Sequence, residues 1–75
     1  MKNTKIEKEL AAFARNLIKF MALKNKTRSD LSSYLGYSDD RMIGRLINGK
    51  MMPTVEIFIN ICRCLEVDEM TMLKA

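Results

Sequence analysis

An all-α fold of five helices, without strands, follows from two observations on these 75 residues. Apolar residues recur every three to four positions along most of the chain, which is the period of a helix with one buried face. Residues that start and stop helices also stand at the ends of those runs: Thr4, Thr27, Thr54 and Asp68 at starts, Gly36, Asn48-Gly49 and Pro53 at stops.

The first helix is long, about residues 4–24. Ile6, Leu10, Phe13, Leu17 and Phe20 or Met21 make its apolar stripe. Thr4 can cap it, with Glu7 three residues on. The next two helices lie in TRSDLSSYLGYSDDRMIGRLING, residues 27–49. Thr27 caps the second helix, about 28–35, and Asp30 completes the capping-box spacing. Leu31 and Leu35 share a face, and Gly36 stops the helix because glycine enters the left-handed conformation without a Cβ penalty. Tyr37 plugs the turn. Ser38 or Asp39 caps the third helix, 39–48, whose Ile43, Leu46 and Ile47 face the core. A loop follows to Pro53, which pushes Met52 toward extended geometry. Thr54 caps a fourth helix to about Leu65, with Ile57 or Phe58, Ile61 and Leu65 inward, and Asp68 caps a short fifth through Leu73. Short amphipathic helices cannot bury their faces alone, so they must share one core. Its expected members are Phe13, Leu17, Phe20, Leu31, Leu35, Ile43, Leu46, Phe58, Ile61 and Leu65.

The length gives one domain, residues 1–75, of modest stability unless it dimerises, since so small a domain buries only about 60% of its unfolded surface. A 48% hydrophobic content excludes a disordered chain. The polar, mixed-charge start lacks the apolar segment of a signal peptide, and the most apolar run, Val55 to Cys62, is far short of a membrane span. A soluble, cytoplasmic protein with no membrane association is the expectation. Cys62 and Cys64 point about 200° apart on a helix and cannot bridge each other. They read as small core or boundary residues, with an intermolecular disulfide as the alternative. The chain has no histidine, which leaves no plausible zinc site and removes the commonest general base. No serine, cysteine or lysine has an evident activating partner, so neither an enzyme nor a cofactor is expected.

The net charge of +4 is unevenly placed. Residues 15–50 hold eight bases (Arg15, Lys19, Lys24, Lys26, Arg28, Arg41, Arg45 and Lys50) against three acids (Asp30, Asp39 and Asp40), a net +5. From residue 51 on, Arg63 and Lys74 face Glu56, Glu66, Asp68 and Glu69, a net −2. The basic part coincides with the helix–Gly turn–helix segment, whose second helix characteristically enters the DNA major groove.

That segment resembles the helix-turn-helix domain of the Cro/C1-type (XRE-like) phage and bacterial repressors. Asn48-Gly49-Lys50 followed by Pro53-Thr54 looks like the family's exit from the recognition helix. Ile61-Cys62-Arg63-Cys64-Leu65-Glu66-Val67 looks like its "IAKALGV" helix end, and Met72-Leu73 like its closing apolar pair. The similarity covers roughly residues 15–74. It implies a compact five-helix, lambda-repressor-like DNA-binding domain, here with an extended N-terminal helix, acting as a sequence-specific transcriptional regulator. The family usually has a small residue where Ser32 stands, because two helices cross closely there.

By this resemblance Asp40, Arg41 and Arg45 are expected base contacts, and Gly44 joins them as a groove-facing position near the start of the same helix; Arg41 and Arg45 stand foremost because an arginine fork matches guanine O6 and N7. Asn48, Lys50, Thr27 and Arg28 match positions used on phosphates; Tyr37 and Ser38, in the turn, join the expected backbone contacts, with Tyr37 equally suited to packing. Three features depart from the family pattern. The run from Gly36 to Asn48-Gly49 is one residue longer than the commonest spacing, near Ser38-Asp39, which shifts the side chains that lead the recognition helix. Asp39 and Asp40 are acidic beside phosphate, although a carboxylate can accept from cytosine N4. Gly44 lies inside the helix, where glycine costs roughly 0.5–1 kcal/mol relative to alanine.

The expected partners are double-stranded DNA and a second copy of the chain, since paired domains read half-sites about 34–36 Å apart. The pairing surface is either the last helix (Val67, Met70, Met72, Leu73) or the first (Ile6, Leu10 and parts of Phe13 or Ile18), which packing within the domain also explains. A protein partner through Met51, Met52 or the N-terminal helix is a further expectation, which fits an antitoxin- or antirepressor-like interaction module on the same fold.

Overall fold

The computed structural model describes residues 4–74, with side chains from Glu9 onward. The described residues form five helices and no strand: α1 (Thr4–Leu23), α2 (Arg28–Leu35), α3 (Arg41–Ile47), α4 (Val55–Leu65) and α5 (Glu69–Met72). The proposed roles of Thr4, Ile6 and Glu7 lie outside the described side chains.

Local chemistry accounts for the helix ends. The capping box at α2 is complete: the Asp30 amide donates to Thr27 Oγ1 at 3.1 Å, and the Thr27 amide donates to Asp30 Oδ2 at 2.8 Å. Thr54 Oγ1 accepts from the Ile57 amide, and Asp68 accepts from the amides of Met70 and Thr71. The first four helices close in the same way. After α2, the Tyr37 amide reaches back to Ser32 O and the Gly36 amide to Ser33 O, with Gly36 left-handed at φ 83°. The same pair of bonds closes α1 with Asn25 left-handed, α3 with Gly49 and α4 with Glu66.

Packing brings α2 against α3 and α4, α1 against α3 and α5, and α4 against α5. The fully buried side chains are Phe13, Leu17, Leu31, Ile43, Leu46, Ile61, Cys62, Leu65 and Met72. Phe20, Leu35 and Phe58, expected inside, are half-buried and pack against this cluster from its edge. The Phe58 ring meets Phe13 at 5.9 Å in a tilted pair, and Lys19 Nζ lies 5.3 Å from the centroid of Phe20. Cys62 is in the core, where burial pushes its thiol up to about 11; Cys64 is half-buried.

Met72 departs from its sequence assignment. It is fully buried, not part of an outward pairing surface, because α5 is a single turn that aims it at the core while Met70 faces out. The carbonyls at this chain end are held by the buried Asn16, whose Nδ2 donates to Met72 O at 2.7 Å and to Lys74 O at 2.6 Å. Phe13 is likewise fully buried and withdraws from the surface that α1 offers a partner, where Ile18 remains half exposed. Met51 packs against the core; Met52 is the more open of the two loop methionines.

Candidate nucleic-acid interface

The interface expected from the sequence is built on α2, the five-residue connection 36–40 and α3. The capping box fixes the entry to α2, so Arg28 stands at its first turn with an exposed side chain. On α3, Ile43 and Leu46 are buried on the inner side. Arg41 and Arg45 are exposed, and the Arg45 side chain has no ion-pair or hydrogen-bond partner among the described residues.

The third helix starts two residues later than its sequence signals indicate. Its N-cap is Asp40, at φ −99° and ψ 14°, and that side chain makes no capping hydrogen bond. Neither Ser38 nor Asp39 is the N-cap. Asp39 Oδ1 instead accepts the Arg41 amide at 3.0 Å, a local side-chain-to-backbone turn that competes with helical geometry. The connection bends over 38–40, and α3 runs over Arg41–Ile47 rather than 39–48.

Two ion pairs shape the front of α3. Arg41 donates through Nε and Nη2 to Asp39 Oδ2, at 3.1 and 2.9 Å. These hydrogen bonds hold the Asp39 carboxyl below the usual carboxylate range and push the Arg41 guanidinium up. Arg28 Nε lies 3.3 Å from Asp40 Oδ2, linking the start of α2 to the cap of α3. The guanidinium of Arg28 also lies over Gly44. A Cβ added there would stand 2.5 Å from Arg28 Nη2, so glycine makes the seat in which that side chain rests. Gly44 is buried, with the Arg28 guanidinium beside its α-carbon.

Of the remaining expected contacts, Thr27, Ser38, Asn48 and Lys50 are exposed, and Tyr37 and Asp40 are half-buried. Asn48 and Gly49 also line a groove of about 260 Å³ with Leu10, Ala11, Ala14 and Ile47. The structure thus brings Arg28, Asp39, Asp40, Arg41 and Gly44 together at one junction. The sequence marks Asp39 as a candidate cap; the signal for its pairing with Arg41 is an aspartate two residues before an arginine at a helix start. No cluster of three or more metal-binding side chains occurs among the described residues, and none of their helices is long and apolar enough to cross a membrane.

Two short helices closed over a glycine turn, with arginines outward on the second, define a helix-turn-helix protein. The helix-turn-helix family model matches residues 17–70, more than two thirds of the chain, and the chain belongs to that family, of the Cro/C1 (XRE) type. It is a family of DNA-binding regulators rather than of enzymes. No curated protein and no solved structure matches the chain.

Proposed function

We propose that the chain, as one domain over residues 1–75, is a cytoplasmic, sequence-specific transcriptional regulator of repressor or Cro-like type that lays α3 in the major groove. The observation that carries this reading is the division of α3: Ile43 and Leu46 are buried while Arg41 and Arg45, residues suited to guanine edges, stand outward. Arg41, Arg45 and Asp40 read bases. Thr27, Ser38, Asn48 and Lys50 bind the sugar-phosphate backbone, with Tyr37 at its edge and Arg28 reaching it from its seat on Gly44. Gly44 serves through that seat. Occupancy of an operator blocks a promoter.

A homodimer reading two half-sites accompanies this function. Met70 (76% exposed) and Leu73 support the last helix as its surface, and Leu73 shares a cavity of about 270 Å³ with Met52 and Glu9. The same exposed apolar residues, with Val55, favour the second reading, a protein-interaction module.

Selection of a randomised duplex pool by the purified protein at near-physiological salt decides between the two. An enriched inverted repeat, weakened by Arg41→Ala and Arg45→Ala, is the expected result. Salt-sensitive retention with no enriched sequence refutes base reading and leaves the interaction module.

A further inference from the structure

Asp39 and Arg41 meet where the turn enters α3, and three hydrogen bonds join them. The Arg41 amide donates to Oδ1, while Nε and Nη2 both donate to Oδ2. One carboxylate therefore holds the root of the arginine side chain and its guanidinium together. A guanidinium carries five N–H groups in a planar fork. Asp39 engages the inner edge: the Nε hydrogen and the Nη2 hydrogen on that side. Nη1 and the outer hydrogen of Nη2 remain, and they form the outer edge. That edge offers the paired donors that guanine O6 and N7 accept in the major groove. The Arg41 side chain is 84% exposed, so the outer edge meets solvent rather than protein. Arg28 differs in both respects. Its contact with Asp40 is a single 3.3 Å approach, and its guanidinium lies over Gly44.

We propose that Asp39 is a specificity-determining residue: by gripping the inner edge of Arg41 it presents the outer edge to a guanine at one position of each half-site. The inference rests on the reading of α3 as the recognition helix, and adds the base, the edge that reads it and the residue that positions it. Asp39 does not itself touch that guanine. An exposed, ungripped arginine samples many rotamers and reaches phosphates as readily as bases. Held at both ends, it has one direction in which to donate. Removing Asp39 then has two effects of opposite sign. The loss of a negative charge strengthens sequence-independent attraction to the phosphates, while the loss of the grip weakens discrimination at one base pair. Simple repulsion of DNA by Asp39 produces the first effect without the second.

The test compares randomised-duplex selection by the wild-type protein, Arg41→Ala, Asp39→Ala and Asp39→Asn, with helix content and melting followed by circular dichroism. Asp39→Asn keeps an acceptor for the Arg41 amide and removes the charged grip, so it separates the side-chain effect from the end of the helix. The wild-type motif is expected to contain a guanine column that Arg41→Ala abolishes. Both Asp39 variants should reduce preference in that same column at least fivefold, leave the other columns intact and retain more DNA of unrelated sequence. Asp39 variants that keep the column at full strength, or that alter a different column from Arg41→Ala, overturn the inference while leaving sequence-specific binding in place. A wild-type pool with no enriched column fails the recognition-helix reading itself, and this inference with it.

Discussion

Ser32 shows how one atom records the crossing of two helices. The side chain is small and buried where α2 packs against its neighbours, and its Oγ has no hydrogen-bond partner. A buried hydroxyl without a partner carries its desolvation cost uncompensated. Ser32→Ala removes that oxygen, leaves the crossing distance unchanged and should raise stability by about 1 kcal/mol. Ser32→Leu should lower it by about 1–3 kcal/mol, because the added volume has nowhere to go. Urea denaturation of the three proteins measures both signs; an alanine variant no more stable than wild type would show that water satisfies the hydroxyl. The smallness required here was legible in the sequence through the family pattern. The orphaned oxygen was not, because it depends on which backbone groups surround the site.

At the scale of elements, the helix ends divide by the chemistry of their closing residues. α2 and α3 close on Gly36 and Gly49, whereas α1 and α4 place Asn25 and Glu66 in the same left-handed region. A side chain there costs about 1–2 kcal/mol, and a carboxylate opposes the dipole at the end of a helix. Glu66→Gly should therefore stabilise the fold by about 0.5–1 kcal/mol, read as a rise in the urea midpoint with the slope unchanged. The α2 capping box sets an acid limit. Hydrogen bonds from the Thr27 amide and hydroxyl hold the Asp30 carboxyl below its ordinary value. A carboxyl depressed on folding adds stability that is complete above its unfolded value, near pH 4, and is lost as pH falls through the folded value. Melting temperature should drop below about pH 4, and Asp30→Asn, weaker at neutral pH, should lose less there; an identical acid loss would assign it to other carboxylates. Caps or glycine stops at α2 to α5, and the apolar stripe of α1, make all five elements legible in the sequence alone. The start of α3 is not legible there, since Asp39 serves three donors of a residue that propensity alone assigns to a continuing helix.

Across the whole molecule, basic and acidic charge lie on different parts of the chain, while the core draws on both. Asn16 ties the last carbonyls to α1, and its place between Phe13 and Leu17 on the apolar face was the only sequence sign of a polar contact spanning 56 residues. The Arg28–Gly44 seat was equally hidden, because it joins residues from two helices whose approach is set by Leu31, Ile43 and Leu46. The charge division, in contrast, was plain from the sequence and yields a quantitative expectation. Each phosphate neutralised by a basic side chain makes the logarithm of the binding constant fall more steeply with the logarithm of salt, by about 0.9 per contact. In the proposed complex Lys50, exposed just beyond α3, should account for one such contact per DNA-bound chain, and Arg28 for another. Alanine at either should flatten the salt slope by roughly 1 per DNA-bound chain and weaken all sequences alike. Arg63 lies in the segment of net −2 charge from residue 51 onward, so Arg63→Ala should leave the slope where it is. Titrations of one duplex at several salt concentrations measure all three variants against wild type. A slope unchanged by Lys50→Ala would remove that residue from the phosphate contacts, and one flattened by Arg63→Ala would place DNA against α4.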